Sequence, residues 1–293
     1  MASVLVTGAS RGIGKATCLA LARAGHRVVG TMRDPAKAPE LSAVASSESL
    51  PIVVCSMDVD SDDSVRRGVA AIIAQHGPID ALVNNAGIER RGSVEELALD
   101  EFRAVMETNY FGAIRCMQAV LPGMRARGSG CIVNISSVAG RISSSPLGPY
   151  AASKFALEAI SEAVAQEVKS LGIRVAVVQP GIISTDMAHA ITNEGAASIY
   201  PHARRFADLF AASLKTPTSP ELVADTIRGI IESDSPRFRY PVGPDAEPFL
   251  AWRASMSDEQ WVAWNAADDD TWYTNVEQTF GLKARRPKTQ SAG

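Results

Sequence analysis

The residues best suited to chemistry lie in the middle of the chain, in Tyr150-Ala151-Ala152-Ser153-Lys154. If this segment is helical, the phenol and the ammonium lie on one face, about one turn apart. A free phenol has a pKa of about 10, which is too high for ready proton exchange near neutral pH. Because a nearby cation favours the phenolate, we expect Lys154 to lower the pKa of Tyr150. The pattern predicts an acid–base group; the alternative is a pair on a helix surface.

Polar residues and glycines also follow several strand-like segments. Ser137 comes thirteen residues before Tyr150 and just after the apolar run 130–135, and this spacing favours it over its neighbour Ser136. The segments 84–87 (Asn-Asn-Ala-Gly) and 180–181 (Pro-Gly) end two further strands. The carboxyl ends of parallel strands meet at one edge of a sheet, so we expect these groups to share a crevice.

A glycine-rich turn follows the first strand, in Thr7-Gly8-Ala9-Ser10-Arg11-Gly12-Ile13-Gly14. Glycines let a backbone turn tightly and approach a pyrophosphate, which then lies on the N-terminus of the next helix. The spacing is Gly-x-x-x-Gly-x-Gly. An ordinary glycine turn is the alternative, but the position between a strand and a helix favours a dinucleotide-binding loop.

The end of the second strand bears on which dinucleotide is bound. An NAD-selective protein places a carboxylate there for the adenosine ribose, but this chain has Met32 at that position, followed by Arg33. A guanidinium near Arg11 and Ser10 suits a 2′-phosphate, since arginine makes bidentate contacts with phosphate. The sequence therefore predicts NADP(H). Asp34 leaves NAD(H) as the alternative, because a one-residue shift of the strand end brings a carboxylate to the ribose.

Strand-like and helix-like segments alternate along most of the chain. Apolar strands without polar alternation indicate burial on both faces, with helices as crossovers. We therefore predict an α/β fold of the Rossmann type, a doubly wound parallel sheet with helices on both faces. Predicted strands are 3–6, 27–32, 52–57, 79–83, 130–135 and 173–178, and predicted helices are 13–23 and 62–75, with long helices starting near Glu101 and Tyr150.

Composition excludes several classes of protein. The 293 residues are 46% hydrophobic and 21% charged with a net charge of −3, which argues against a disordered chain and a nucleic-acid-binding surface. No apolar run approaches the length of a membrane helix, and a strand predicted directly behind Met1 leaves no room for a signal peptide. Four dispersed cysteines predict free thiols in the cytoplasm, and the cysteine and histidine spacings predict no metal site.

The C-terminal region differs from the rest. Residues 1–244 are predicted to form one dinucleotide-binding and catalytic domain, and residues 245–293 a helical extension that packs on it, with frayed last residues. All four tryptophans fall in this extension. Their spacing favours a helix packed on the body or on a second subunit, and covering the substrate cleft is the alternative.

Together these motifs resemble those of a short-chain dehydrogenase/reductase of the compact, single-domain kind, over roughly Ser3 to Gly243. The resemblance implies that Tyr150 is the acid/base, that Ser137 polarises the substrate carbonyl and that Asn109 supports a proton-relay water near Lys154. Lys154 then holds the nicotinamide ribose and, with the oxidised ring, lowers the pKa of Tyr150. Cofactor contacts are expected from Gly8, Ser10, Arg11, Gly12, Ile13, Gly14, Arg33, Asp58, Val59, Asn85, Ala86, Gly87, Tyr150, Lys154, Pro180, Gly181, Ile183 and Thr185.

The expected activity is NADP(H)-dependent interconversion of a secondary alcohol and a ketone on a mostly apolar small molecule. Apolar residues of the segment 185–219, which in this family resembles a substrate lid, favour such a substrate, although they could simply pack. One alternative is a 3-ketoacyl thioester reductase, for which Arg90, Arg91 and Arg141 are candidate basic residues. A second is a non-catalytic dinucleotide-binding regulator. The long helices resemble those that form homodimer or homotetramer interfaces in the family.

Overall fold

Seven parallel strands form one sheet in the computed structural model, which describes residues 1–193, 198–235 and 237–285. Their spatial order is β3-β2-β1-β4-β5-β6-β7, so the order reverses between β1 and β4. In such sheets the ligand crevice lies outside the carboxyl ends of the strands at this reversal. The bounds are β1 Ser3–Thr7, β2 Arg27–Met32, β3 Ile52–Ser56, β4 Ala81–Asn84, β5 Gly130–Ile135, β6 Ile173–Pro180 and β7 Arg239–Val242.

Helices cover both faces of this sheet, which confirms the predicted doubly wound fold. The body contains α1 Gly12–Arg23, α2 Glu40–Ser47, α3 Asp62–His76, α4 Leu99–Met106, α5 Gly112–Arg127, α6 Gly148–Val168, α7 Asp186–Ile191, α8 His202–Ser213 and α9 Pro220–Glu232. Alternate strand residues face opposite layers: Val4 and Val6 pack with α1 and α9, and Leu5 packs with α3, α5 and α6. Both layers are apolar because successive strand side chains point to opposite faces.

Local signals set several helix ends. The Ser61 side chain accepts a hydrogen bond from the Ser64 N–H and begins α3, and Gly77, at φ 85°, follows its last residue. A π-helical turn, Glu107–Phe111, separates α4 from α5 and carries Asn109. The helix predicted to start near Glu101 therefore begins at Leu99 and is interrupted.

Some boundaries differ from the predictions. The fourth strand begins at Ala81 and not at Ile79, the third ends at Ser56, and the sixth extends to Pro180. No strand or helix was predicted for β7, α2 or α9. Strand β7 is short and only partly buried, and its central Pro241 lacks the N–H of an ordinary strand residue.

The C-terminal region is helical, as predicted. It contains α10 Ala246–Ala254, α11 Asp258–Ala266 and α12 Asp269–Phe280. Trp272, Tyr273 and Val276 of α12 pack with Leu209 and Ala212 of α8. The last residues were predicted to be frayed, and 286–293 lie outside the described residues. The division of the chain after residue 244 stays a prediction.

The described residues contain no helix that is both long and apolar enough to cross a membrane. Cys18, Cys55, Cys116 and Cys131 are free thiols. Within the same described ranges, no group of three or more histidines, cysteines, aspartates or glutamates is arranged to hold a metal ion.

Candidate active site

A cavity of about 410 Å³ lies at the carboxyl edge of the sheet, where the strand order reverses. Every predicted cofactor-binding residue, with Ser137, lines it, and Asn109 alone among the predicted site residues does not. Its far side is formed by α7, α8 and the C-terminal helices. The cavity therefore joins the glycine-rich turn to an apolar wall.

The glycine-rich turn meets the needs of a bound pyrophosphate. Gly8 has φ 67°, and a Cβ there would lie 2.7 Å from the Cα of Ala86. A Cβ on Gly14 would collide with the carbonyl oxygen of Gly8. At the start of α1, Arg11 gives no side-chain cap and the first turn holds no acidic residue, so its N–H groups and dipole are available to an anion. These residues fit a dinucleotide.

Asn85 holds this turn against the end of β4. Its Nδ2 donates to the carbonyl oxygens of Thr7, at 2.9 Å, and Gly8, at 3.1 Å. The Thr7 hydroxyl in turn accepts the N–H groups of Asn85 and Ala86 at 3.1 and 3.0 Å. The motif 84–87 therefore fixes two neighbouring strand ends as well as lining the cavity.

The residues expected to distinguish NADP from NAD lie at the other end of the turn. Met32 is buried, whereas Arg33 is exposed and lines the cavity together with Ser10 and Arg11. The Asp34 carboxylate accepts the Ala36 N–H at 3.1 Å and lies 3.6 Å from Lys37 Nζ. Asp34 is absent from the lining of this cavity, but it lines a second pocket that shares Ser10, Arg11 and Arg33 with it, so Arg33 is the candidate that belongs to both.

Tyr150 and Lys154 lie one turn apart on α6, as predicted. Lys154 Nζ lies 5.6 Å from the centroid of the Tyr150 ring and donates to the Ile135 carbonyl oxygen at 2.8 Å. The Ser137 hydroxyl is close enough to the Tyr150 phenol to lower its pKa, and it donates to the Pro180 carbonyl oxygen at 3.4 Å. Ser136 also lines the cavity, but its hydroxyl lies against Gly140. Of the two serines, Ser137 is therefore the one that acts on Tyr150.

Burial controls the protonation of this pair. The Tyr150 side chain keeps some exposure to the cavity, yet desolvation raises its pKa to about 12; the Ser137 hydrogen bond lowers it and the charge of Glu89 raises it further. Desolvation lowers the pKa of Lys154 to about 8, against the opposing effect of Glu158. The residues of this chain by themselves therefore raise the pKa of Tyr150, chiefly through desolvation, and the lowering expected from Lys154 together with an oxidised nicotinamide ring stays a prediction.

Asn109 lies behind the cavity wall. Its side chain is 1% exposed, accepts the Ile88 N–H at 2.8 Å, and donates to the Ile88 carbonyl oxygen at 3.0 Å and to Ser153 Oγ at 2.9 Å. It therefore fixes the backbone that follows the motif 84–87 against α6.

The other predicted cofactor residues are shaped by local hydrogen bonds. Asp58 Oδ1 accepts the Asp60 N–H at 3.2 Å, and the Thr185 hydroxyl accepts the Ala188 N–H at 3.3 Å to cap α7. Val59 and Gly87 line the cavity beside them, as do Pro180, Gly181 and Ile183 after β6.

Aromatic residues of the extension line the far side of the cavity. They are Phe249, Trp252, Trp261, Trp264, Trp272 and Phe280. Trp252 makes edge contacts with Trp261, Trp264 and Phe280 at centroid distances of 4.7 to 4.9 Å. The tryptophans pack on one another, and α12 packs on α8 of the body through Trp272, as predicted. They also line the cleft, which was the less favoured alternative.

Helices α7 and α8 complete the apolar wall. Phe206 packs with Leu147, Ile191 and Tyr150, and Leu209 and Phe210 also line the cavity. The neighbouring residues Ile199 and Tyr200, expected in this wall, lie outside the cavity lining. Residues 194–197 of the predicted lid fall outside the described residues.

Several charged or polar residues of the lining were not found from the sequence. Four of them, Asp60, Glu89, His202 and Arg205, each have a buried side-chain atom without a hydrogen-bond partner. Asp60 directly follows the pair Asp58-Val59 and Glu89 lies two residues after the motif 84–87, so these two had a signal in the sequence. The basic residues considered for a thioester substrate lie outside the lining: Arg90 pairs with Glu101 at 2.5 Å and Arg91 with Glu89 at 3.5 Å, and Arg141 is exposed.

Residues 2–196 match the family model described as short chain dehydrogenase. The chain is 37% identical over 256 residues to a 3-ketodihydrosphingosine reductase of Bacteroides thetaiotaomicron, covering 85% of this chain and 90% of that protein. Its fold is similar to a short-chain dehydrogenase from Streptomyces avermitilis, with a TM-score of 0.77, 33% identity and coverage of 90% and 95% of the two chains. A gluconate 5-dehydrogenase from Burkholderia cenocepacia, solved with NADP and tartrate, matches with a TM-score of 0.71 and 28% sequence identity. This match covers 82% of this chain and 92% of the other.

Proposed function

This chain belongs to the short-chain dehydrogenase family, and we propose that it is an NADP(H)-dependent oxidoreductase that interconverts a secondary alcohol and a ketone on a mostly apolar small molecule. The observation that carries the proposal is that Ser137, Tyr150 and Lys154 line one cavity together with a dinucleotide-type glycine turn, with Lys154 Nζ 5.6 Å from the centroid of the Tyr150 ring. An oxidoreductase needs its proton donor and its cofactor site within one such space.

In this proposal Tyr150 transfers the proton. Its raised pKa keeps the phenol protonated near neutral pH, so in the reducing direction it can donate to a carbonyl oxygen that gains negative charge. Ser137 donates to the same oxygen and orients the substrate. When bound, the nicotinamide cofactor supplies or accepts the hydride.

Lys154 and Asn109 position the reacting groups. With a pKa of about 8, Lys154 is mostly protonated near neutral pH, and its ammonium stabilises negative charge that develops on Tyr150. Lys154 lines the cavity, and in this proposal its Nζ donates to the nicotinamide ribose. Asn109 acts through the Ile88 carbonyl and Ser153, and a relay water near Lys154 stays a prediction.

The preference for NADP(H) rests on Arg33. Its guanidinium is exposed at the end of β2, close in sequence to an Asp34 that is engaged in capping. Ser10 and Arg11 line the same end of the cavity and can share a 2′-phosphate with it. The related structure solved with NADP is consistent with this preference.

An apolar substrate is supported by the aromatic wall described above. We also propose that the protein works as a homodimer or homotetramer, because Phe111 and Phe155 are 44% and 43% exposed beside the long helices. The cytoplasmic location stays a prediction, drawn from the four free thiols.

The test follows consumption of NADPH, and of NADH in parallel, with a panel of steroid, retinoid, alicyclic, quinone and ketoacyl-thioester substrates. We expect turnover with NADPH, and a loss of at least about 100-fold in Tyr150→Phe with little change in the NADPH dissociation constant. The matched control is Tyr240→Phe, which removes a hydroxyl outside the cavity lining. Undiminished activity of Tyr150→Phe refutes its role as the proton donor.

A further inference from the structure

Glu89 brings a carboxylate to the wall of the reaction cavity. Its side chain is 11% exposed, and its Oε1 is buried without a hydrogen-bond partner. A buried acceptor without a donor is energetically costly, and such atoms are uncommon in folded proteins. This acceptor therefore calls for a functional explanation.

The backbone around Glu89 fixes it on the side of the reacting groups. A Cβ on Gly87 would lie 3.7 Å from Lys154 Nζ, and Asn109 holds both backbone polar groups of Ile88. Further along, the Gly92 N–H donates at 3.0 Å to the carbonyl oxygen of Pro146, in the segment that leads into α6. Glu89 thus lies in the loop that runs from Gly87, beside Lys154, to Gly92, which is hydrogen-bonded to the segment before α6.

The charges around Glu89 leave one oxygen available. Oε2 lies 3.5 Å from Arg91 Nη1, and Arg91 Nη2 donates to the carbonyl oxygens of Ala190 and Asn193 at 3.0 and 2.7 Å. Arg91 therefore anchors the other side of the carboxylate to the end of α7. Burial raises the pKa of Glu89, while Arg91 and Arg90 lower it, and the charge of Glu89 acts in turn on Tyr150.

We propose that Glu89 Oε1 accepts a hydrogen bond from an amino or hydroxyl group that the substrate carries next to its reacting carbonyl. The substrate class is then an α-amino or α-hydroxy ketone, or the matching alcohol, with an apolar remainder that lies against the aromatic wall. This inference rests on the proposed function and narrows its substrate.

Selectivity follows from the unpaired acceptor. A ketone with a neighbouring donor satisfies Oε1 on binding, whereas an unsubstituted ketone leaves it buried and unpaired. Hydrogen bonds to charged groups are among the stronger ones, so we expect a preference of at least about 10-fold in kcat/KM for the substituted ketones.

The experiment compares three ketones of one apolar chain: unsubstituted, α-amino and α-hydroxy. NADPH consumption is measured with the wild type, Glu89→Leu and Glu89→Gln. In Glu89→Leu we expect both preferences, each measured as the ratio of kcat/KM for the substituted ketone to kcat/KM for the unsubstituted one, to disappear. In Glu89→Gln the amide oxygen still accepts, so a hydroxyl-bearing substrate loses less than an ammonium-bearing one, which identifies the donor.

A binding measurement separates this inference from the proposed reaction. The α-amino and α-hydroxy alcohols, added with NADP⁺, are expected to raise the thermal midpoint of the wild type more than that of Glu89→Leu. The matched control is Glu101→Gln, which removes a carboxylate outside the cavity and should behave as the wild type.

Two results overturn the role of Glu89. One is an equal kcat/KM for all three ketones with the wild type, and the other is a preference that Glu89→Leu leaves unchanged, whether or not all three ketones lose activity equally. If no ketone is reduced by the wild type although NADPH binds, the proposed function fails, and the thermal shifts still decide whether Glu89 recognises the donor.

Discussion

Lys154 carries a pH-dependent cost to folding that a substitution can expose. Desolvation lowers its pKa from the ordinary 10.5 to about 8, and the Nζ donates to the Ile135 carbonyl oxygen inside the protein. One pKa unit corresponds to about 1.4 kcal/mol, so charging this amine costs the folded state about 3 kcal/mol below pH 8. Between pH 8 and 10.5 the unfolded chain holds the proton that the folded chain has released, so stability attributable to this group rises with pH.

The perturbation is Lys154→Met, which keeps an unbranched side chain and removes the charge. The free energy of unfolding is measured by denaturant titration from pH 7 to pH 10 for both proteins. We expect the wild type to gain about 3 kcal/mol relative to the variant across this range. Subtracting the two curves cancels the titration of the cysteines, which both proteins share, and the comparison is made below pH 10, where Tyr150 stays protonated in both states.

The matched control is Lys169→Met, which removes an exposed lysine just after α6 and corrects for the loss of one positive charge. A wild-type-minus-Lys154→Met curve that is flat between pH 8 and 10, or that falls with pH, refutes the reasoning, because it means that burial does not disfavour the charged amine.

Two further predictions concern the ends of the cavity. Arg33→Met should weaken NADPH binding by about 10- to 100-fold and change NADH binding little, because a charge-assisted hydrogen bond to phosphate contributes about 1.5–3 kcal/mol. Calorimetry measures the dissociation constants of NADPH and NADH, with Arg27→Met as the control. Equal losses of affinity for the two cofactors contradict the assignment of Arg33 to the 2′-phosphate. Trp272→Ala should lower the free energy of unfolding by about 3 kcal/mol, since the indole is 6% exposed and packs on Trp264 and under the Arg205 guanidinium. Denaturant titration measures this loss. An unchanged denaturant midpoint would mean that the extension contributes nothing to stability.

Much of the frame of the site was predictable because its signals are local. The apolar runs of β1, β2 and β5 depend on a few consecutive side chains, and the observed strands agree with the prediction to within a residue. The glycine turn needs positive φ and close backbone approach, which few other residues permit. Helical geometry alone brings Tyr150 and Lys154 to one face.

Contacts between residues far apart in the sequence set the features of the site that were not predicted. The Trp261 indole N–H donates at 2.9 Å to the carbonyl oxygen of Ser143, 118 residues earlier, and Asn109 is tied to Ile88. No pattern within either segment specifies such a partner. The interrupted helix before α5 likewise places Asn109 by packing rather than by local propensity.

Local sequence patterns were enough to predict the doubly wound sheet, the glycine turn and the candidate acid–base residues, because each is encoded by side chains within a few residues of one another. Long-range packing, by contrast, sets the raised pKa of Tyr150, brings the tryptophans over the cleft and buries an unpaired oxygen of Glu89 in the cavity wall. Desolvation and hydrogen-bond satisfaction depend on everything packed around a group, and that environment is assembled from segments far apart in the chain.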